Sequence, residues 1–263
     1  MGVDGSVNTF GGQFPYWLAL FRAQAHPSSG EPLEETDVFT PLLPDSDSGV
    51  KLDAEAAEGL KKSRLAALEA RAALSAIARY APTLVVMDGS FARFQFDNTT
   101  GNSFKSLKEA AKKVGTTVIG VIEGVASRVL PTLLGDDVPA GWSGRYDREL
   151  LWGVLDYGEV LEVRHVGSKQ GVRTWFMRSS MDPGTVALDM FEEQVDMLAA
   201  NPLLIDYLFS LTPPTGRGIP VWIDMVDQSV RLTDHEVETL VGAHLDRQVF
   251  EVLLAAKRSA RVF

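Results

Sequence analysis

The stretch that most constrains the fold runs from Thr83 to Ser90, with the sequence TLVVMDGS. An apolar run without polar alternation is typical of a strand that is buried on both faces of a sheet. Here the run leads directly into Asp88, and Gly89 and Ser90 then indicate a turn at which the strand ends. In open α/β sheets, ligands bind at the carboxyl ends of strands. The pattern therefore predicts a central strand that carries Asp88 into a candidate site.

The same signature opens the chain, where Val3 is followed by Asp4, Gly5 and Ser6. Asp-Gly is also a common turn dipeptide, so either copy alone is compatible with an ordinary turn. The pair favours two carboxylates, Asp4 and Asp88, at one place. Only three residues precede Asp4, whereas a buried strand usually has about five or six. Either the first strand is very short or residues upstream of Met1 are missing, and the second is what we expect.

The order of predicted elements indicates an α/β fold. A strand at 83–88, a lysine-rich helix at 103–114 and a strand at 116–122 form a βαβ pattern, which implies parallel pairing. A long alanine-rich helix precedes them at 53–80, because Ala favours helix and Pro82 ends it. Residues 91–96 are predicted as a short strand or a turn, and residues 147–157 as a helix. Three further strands are expected within 160–191, and one final helix from a capping box at Thr233 to about residue 257.

Composition limits the class of protein. The 263 residues are 45% hydrophobic and 23% charged, as expected of a globular protein, and no linker demands a boundary, so we predict a single domain over 1–263. The absence of cysteine excludes disulfides and thiolate zinc sites. No apolar run approaches the roughly 20 residues of a membrane span, and no signal peptide is visible, so a cytoplasmic protein without membrane contact is expected. The net charge of −10 argues against binding of a polyanion by the whole surface, but it is compatible with an acidic metal site.

Glu69 is the least ordinary charged residue of the long helix. Its helical neighbours three and four positions away are Leu65, Ala66, Ala72 and Ala73, all of them apolar. A carboxylate buried among them costs free energy unless it is paired or binds a metal. The alternative is a residue at the rim of the helix that reaches solvent. Together with Asp4 and Asp88, Glu69 would form an all-oxygen site suited to Mg²⁺ or Mn²⁺.

A fourth carboxylate is expected from the helix after Pro220. Asp224 and Asp227 are three residues apart, and Asp227 has the more apolar neighbours, Ile223, Val226 and Val230. An ordinary solvated acidic face is the alternative for both. Paired divalent ions held by such carboxylates can activate water and stabilise the leaving oxygen of a phosphodiester.

Three cations are candidates for contacts with phosphates: Arg64, Arg71 and Lys105. A solvated helix face is the alternative for each. The scattered histidines have no HExxH spacing, and the chain contains no GxSxG elbow, P-loop or GxGxxG motif. A zinc hydrolase and a nucleotide-driven motor are therefore not supported.

With these residues assembled, the chain resembles the NurA nuclease family. Val3-Asp4-Gly5-Ser6 is similar to the opening aspartate motif of that family, Leu68-Glu69-Ala70-Arg71 to its helical glutamate, and Val86-Met87-Asp88-Gly89-Ser90 to its second aspartate motif. The segment from Ile219 to Asp227 resembles the C-terminal motif, and Asp227 takes the matching position. The motifs follow the family order over nearly the whole chain.

The resemblance implies an α/β, RNase H-like fold, in which a mixed central sheet is flanked by helices. It also implies a Mn²⁺-dependent nuclease, with Mg²⁺ as the other candidate and two ions expected, that acts on single-stranded DNA and in the 5′ to 3′ direction. Asp4, Glu69, Asp88 and Asp227 would then be the catalytic and metal-binding residues. Members of the family form homodimers and work with the hexameric HerA translocase in DNA end resection and double-strand break repair.

Two departures from the family pattern leave alternatives open. Many members carry a lysine after the strand that corresponds to 116–122, where this chain has Glu123-Gly124. The role of that lysine is then unfilled or passes to Arg128 or Lys105, and Glu123 could add a carboxylate. The second departure is the short segment ahead of Asp4. The alternatives to the nuclease are a non-catalytic assembly module of a DNA translocase complex and another RNase H-like nuclease, such as a resolvase or an RNA-directed enzyme.

Overall fold

A computed structural model describes residues 1–43, 52–95, 98–139, 141–163, 171–200 and 203–259. Its centre is one eight-stranded sheet with the order β3-β2-β1-β4-β5-β8-β7-β6. The strands are β1 (Gly2–Gly11), β2 (Trp17–His26), β3 (Leu33–Phe39), β4 (Leu84–Asp88), β5 (Thr117–Ile122), β6 (Val160–Glu162), β7 (Val172–Met177) and β8 (Val186–Phe191). Strand β4 pairs in parallel with β1 and β5, and the other pairs are antiparallel. The sheet is therefore mixed, and its parallel strands lie at the centre.

The described α-helices pack around this sheet. They are α1 (Ala54–Tyr80), α2 (Asn98–Val114), α3 (Val129–Leu134), α4 (Asp147–Leu150), α5 (Glu192–Ala200), α6 (Leu203–Ser210), α7 (Val221–Val230), α8 (Asp234–His244) and α9 (Arg247–Ser259). Short 3₁₀ helices lie at Phe91–Gln95 and Gly135–Asp137.

The two faces of the sheet have separate cores, because successive side chains of a strand point to opposite faces. On one face, Val85 and Met87 of β4 pack with α1 and α2 in a cluster that contains six alanines of α1, including Ala66, Ala70 and Ala73. On the other face, Leu84 and Val86 pack with residues of α5, α6 and α7. The small side chains of α1 let this helix lie close to the sheet. Helix α7 packs on the opposite face, so residues of α1 and α7 approach the central strands from opposite sides.

The predicted α/β class and RNase H-like arrangement, a mixed central sheet flanked by helices, are confirmed. The βαβ unit is present as β4, α2 and β5, and α1 matches the helix predicted at 53–80. Each of these predictions depended on a long periodic or unbroken apolar pattern. Such patterns identify an element reliably because the whole segment, and not one residue, carries the signal.

Several boundaries were predicted wrongly. Strand β1 does not end near Asp4 but continues to Gly11, because it pairs along its full length with β2. The argument from a short first strand therefore does not hold. Residues 91–95 form a 3₁₀ helix, and Phe96 lies outside the described residues.

Two predicted helices also differ from the structure. Helix α4 ends at Leu150, and residues 151–158 turn instead, with Gly153 and Gly158 at positive φ. The single C-terminal helix is divided into α8 and α9 at Leu245 and Asp246. Of the predicted strand that begins at residue 160, residues 164–166 lie outside the described part of the chain.

Candidate active site

Asp4 and Asp88 occupy matching positions on the two central strands. The parallel register of β1 and β4 pairs Gly2 with Val86 and Val3 with Met87, so Asp4 and Asp88 are the next residues in that register. Because side chains alternate along a strand, Asp4 lies on the same face of β1 as Gly2. A Cβ added to Gly2 would lie 3.0 Å from Val226, so this is the face that α7 covers. Asp4 is only 5% exposed although it carries a carboxyl group.

The turn after Asp88 is held by backbone and side-chain hydrogen bonds. Gly89 has φ of 81°, a left-handed conformation that favours glycine, and its N–H donates to Val121 O at 2.7 Å. The buried carboxylate of Asp189 on β8 accepts bonds from Ser90 Oγ at 2.7 Å and from Phe91 N at 2.9 Å. Asp189 is therefore a positioning residue that fixes the turn beside Asp88.

Glu69 enters the same region from the opposite face of the sheet. It lies on α1 and is 2% exposed. A Cβ added to Gly5 would lie 2.8 Å from both Cγ and Oε1 of Glu69. The missing side chain at Gly5 therefore provides the space through which Glu69 reaches the central strands.

Arg93, in the 3₁₀ helix after β4, supplies positive charge at this point. Its Nη2 lies 2.7 Å from Oε2 of Glu69 as an ion pair. The two atoms are buried, yet neither makes an aligned hydrogen bond to any described residue, since their mutual contact does not satisfy the angular requirement. Arg93 thus partly compensates the charge of Glu69, while Oε2 of Glu69 can still accept a hydrogen bond.

Asp227 and Asp224 point from α7 into different surroundings. The charge of Asp227 acts on both Asp4 and Asp88, while its own carboxylate pairs with Arg231 at 2.6 Å. Asp224 pairs instead with Arg217, which also contacts Glu123 at 2.8 Å. The structure therefore brings Asp227, rather than Asp224, towards Asp4 and Asp88.

Burial changes the acidity of the clustered carboxyl groups. Desolvation, reinforced by the charge of Asp88, raises the pKa of Asp4 to about 7. Desolvation likewise raises the pKa of Glu69 to about 8, although Arg93 opposes it, and it raises the pKa of Asp88, again against Arg93. Carboxyl groups with such pKa values are poised to gain a cation or a proton.

The donor chemistry fits a hard divalent ion, because the side chains offer carboxylate oxygens and no sulfur. A buried Glu69 oxygen without an aligned hydrogen bond also fits a metal ligand. Within the described residues, however, no three acidic or histidine side chains are arranged to hold one ion. In this arrangement the cation closest to Glu69 is the guanidinium of Arg93, so metal binding would require these side chains to move.

The four cations predicted to bind DNA are spread over the molecule. Arg64 pairs with Asp37 at 2.9 Å and lies over the Phe39 ring, whereas Arg71 and Lys105 are exposed on α1 and α2. Arg128 lies 4.8 Å from the centre of the Tyr146 ring. Contact of these residues with DNA stays a prediction, as do the roles of Asp4, Glu69, Asp88 and Asp227.

Sequence reasoning missed three residues that shape the site: Arg93, Asp189 and Arg217. Asp189 had a detectable signal, since it is a lone charge within the apolar strand VALDMF. The two arginines had none, because they lie in short connecting segments and reach the carboxylates only through the tertiary fold. They are nevertheless the arginines whose charges act on Asp88.

The fold and site together define an α/β protein with a carboxylate cluster at its central parallel strands, β1 and β4. The chain belongs to the NurA family: the model of the NurA domain matches residues 2–232. This membership supports a nuclease-type function and interaction with nucleic acid.

Solved structures show the extent of the likeness. A crystal structure of NurA is 9% identical, with 95% of this chain and 89% of that chain covered and a TM-score of 0.57, which shows a shared fold. A Thermus thermophilus RuvC structure is 15% identical over 45% of this chain and 62% of that chain, with a TM-score of 0.17. No curated protein sequence matches the chain. In the described part of the protein, every helix is too short or too polar to span a membrane.

Proposed function

We propose that this protein is a metal-dependent DNA nuclease whose active site is formed by Asp4, Glu69, Asp88 and Asp227. The observation that carries the proposal is the convergence of these four carboxyl groups from β1, α1, β4 and α7. The charges of Asp88 and Asp227 act on Asp4, those of Asp4 and Asp88 act on Glu69, and burial raises the pKa values of these three groups, Asp4, Glu69 and Asp88. Ionised carboxyl groups in one cluster repel one another, and a bound cation would relieve that repulsion, which supports the proposal.

The carboxylates of Asp4, Glu69 and Asp88 would hold the metal, with Asp227 assisting from α7. Mn²⁺, with Mg²⁺ as the alternative and two ions in all, would activate water and stabilise the leaving oxygen of a phosphodiester. The protein contributes placement: Asp189 fixes the turn beside Asp88, and Gly5 admits Glu69. Arg93 lies close enough to neutralise excess charge at the carboxylates.

The finer proposal follows the family resemblance. The enzyme would cut single-stranded DNA internally and digest ends in the 5′ to 3′ direction during end resection and double-strand break repair. It would work in the cytoplasm as a homodimer with a HerA-type hexameric translocase. A phosphodiester backbone suits the site, since bound cations at the carboxylates would offset the repulsion between two negative groups.

The test is cleavage of an end-labelled single-stranded oligonucleotide in Mn²⁺, Mg²⁺ or EDTA. We expect the parent to cut only with metal and Asp88→Asn to lose at least about a hundredfold in rate, because one metal-binding oxygen loses its charge. Asp136→Asn is the matched control, since Asp136 is exposed in the Gly135–Asp137 3₁₀ helix. Labelling either end in turn reports the polarity of digestion.

Equal cleavage by the parent and Asp88→Asn would show that the site is assigned wrongly. Competition with an RNA of the same sequence separates a DNA nuclease from an RNA-directed enzyme of related fold. Circular dichroism of each variant checks that loss of activity is not loss of fold.

A second candidate function is a non-catalytic assembly module of a DNA translocase complex. The ion pair between Arg93 and Glu69 favours it, because a protein cation there could replace a metal permanently. This candidate predicts no cleavage by the parent in any metal and no measurable Mn²⁺ binding by calorimetry. Metal-dependent cleavage that Asp88→Asn abolishes would rule it out.

A further inference from the structure

A cavity of about 410 Å³ opens beside the carboxylate cluster. It lies where β5 ends, between the segment after α4, the turn that joins β7 to β8, and the segment before α7. Glu123 connects it to the cluster, since it follows β5 and its charge acts on Asp88. The lining residues that the argument uses are Glu123, Arg148, Trp152, Asp182, Thr185 and Arg217.

Thr185 is the first sign that the cavity takes a ligand. The residue is 7% exposed and lines the cavity, yet its Oγ1 has no hydrogen-bond partner within the described protein. Burial of an unpaired hydroxyl costs free energy, so native proteins rarely leave one without a purpose. The hydroxyl is covered in this arrangement, and rotation of the side chain towards the cavity would let a ligand oxygen satisfy it.

One charged side chain of the cavity, Arg148, is available to an anionic ligand. Its two carboxylates already have partners: Glu123 pairs with Arg217, and Asp182 accepts a bond from Gly184 N at 2.8 Å. Arg148 makes no ion pair with a described carboxylate, and its guanidinium lies 5.6 Å from the Tyr146 ring centre, which Arg128 also approaches. An arginine held against an aromatic ring keeps its outward N–H groups available for phosphate.

Trp152 gives the cavity a stacking surface. Its side chain belongs to a residue that is 61% exposed, an unusual exposure for the largest aromatic residue. The ring lies close to Gly184, where an added Cβ would be 3.4 Å from it, and the neighbouring Gly153 N donates to Pro183 O at 3.0 Å.

The walls of the cavity are also pre-ordered. Arg178 donates to the carbonyls of Leu155, Met181 and Asp182, and so ties the segment after α4 to the turn after β7. A preformed surface binds with less loss of conformational entropy.

We propose that this cavity binds one nucleotide of the single strand that the neighbouring carboxylates cut. The base stacks on Trp152, the phosphate contacts Arg148, and Thr185 Oγ1 donates to a phosphate or base oxygen. Arg217 lies between the cavity and the cluster, where it can contact the linking phosphate. The inference rests on the proposed nuclease function and names its substrate contact, since a stacked aromatic beside basic side chains is how proteins hold single strands without reading sequence.

The test is binding of a fluorescein-labelled oligodeoxythymidylate to the full chain, measured by anisotropy in EDTA so that no cleavage occurs. We expect Trp152→Ala to weaken binding about tenfold, as removal of a stacking aromatic does elsewhere. We expect Thr185→Val to weaken binding about fivefold while the fold is kept, because valine has the shape of threonine without its hydroxyl. Arg148→Ala should lower the slope of log affinity against log salt by about 0.7.

Two controls match these changes. Val154→Ala alters an equally exposed side chain of the same segment outside the cavity lining, and Arg247→Ala removes an exposed arginine of α9. Both should bind within twofold of the parent. An oligonucleotide with 5-iododeoxyuridine should also cross-link to Trp152 on irradiation, located by mass spectrometry.

The inference is overturned if Trp152→Ala, Thr185→Val and Arg148→Ala all bind like the controls. That result would leave metal-dependent cleavage and its loss in Asp88→Asn untouched. Conversely, weakened binding in the three variants together with no cleavage by the parent would establish the cavity as a strand-binding site and reject the nuclease.

Discussion

At the scale of single residues, Glu69 shows how burial and charge oppose each other. Its pKa in the folded chain is raised from 4.5 to about 8, chiefly by desolvation, and that of Asp4 is raised from 3.8 to about 7. A folded state that holds these protons more tightly than the unfolded chain is stabilised at low pH. Stability is therefore lost as pH rises through the unfolded and then the folded pKa values, unless a cation is bound.

We expect the free energy of unfolding of the parent in EDTA to decrease between about pH 5 and pH 8.5. In Glu69→Gln this decrease should be smaller by about 2–4 kcal/mol, because glutamine cannot ionise. Urea denaturation at a series of pH values measures it. Glu58→Gln, at an exposed position on the same helix, should leave the profile of the parent unchanged. A variant profile as steep as that of the parent would mean that Glu69 is not protonated in the folded chain.

At the scale of elements, the approach of α1 to β1 determines whether Glu69 can reach the cluster. The helix presents a face of alanines to the sheet, and Gly5 admits the glutamate where any side chain would collide. An added methyl at Gly5 would also lie 2.8 Å from Cδ1 of Leu65. The close packing of α1 on β1 therefore also determines the position of Glu69, one of the candidate metal ligands.

Gly5→Ala should destabilise the protein by about 1–3 kcal/mol, because helix α1 or Glu69 must shift, and it should lower cleavage together with stability. Gly59→Ala on the same helix should do the opposite. No atom lies within 4 Å of an added Cβ there, and alanine favours the helix by about 1 kcal/mol over glycine. Thermal unfolding of the two variants and the parent measures both changes in stability. A Gly5→Ala variant as stable as the parent would contradict the close packing.

At the scale of the whole molecule, apolar side chains remain exposed along one edge of the sheet. A cavity of about 630 Å³ lies between β2, the edge strand β3 and α9, and its lining includes Val38, Leu42, Leu43 and Val249. Leu43 is 66% exposed. Clustered exposed apolar residues mark interaction surfaces, so this edge is where we place contact between the two copies of the proposed homodimer.

Light scattering after gel filtration should give twice the chain mass of 28.7 kDa for the parent. The double variant Leu43→Glu, Val249→Glu should elute as a monomer, because charges would be buried at the contact. Leu203→Glu, at an exposed leucine of α6, is the matched control and should remain a dimer. A monomeric parent would contradict the homodimer, and a dimeric double variant would place the contact elsewhere.

The sequence by itself determined the elements whose patterns are long and local. The apolar run into Asp88, the alanine-rich helix and the βαβ order predicted the central sheet, and an apolar neighbourhood identified Glu69 as buried. These succeeded because period and burial are properties of the residues of one segment. The end of β1 and the extents of α4 and the last helices could not be predicted, since partner strands and turns decide them.

Only the tertiary structure decided how the candidate site is assembled. The register of β1 against β4 places Asp4 beside Asp88, and Gly5 admits Glu69 from the other face. Arg93 and Arg217 bring charge from connecting segments that have no periodic signal, and Thr185 Oγ1 has no hydrogen-bond partner among the described residues. The physical reason is common to all of them: ion pairs, close approaches and cavities depend on distances between residues far apart in the chain, which local sequence patterns do not encode.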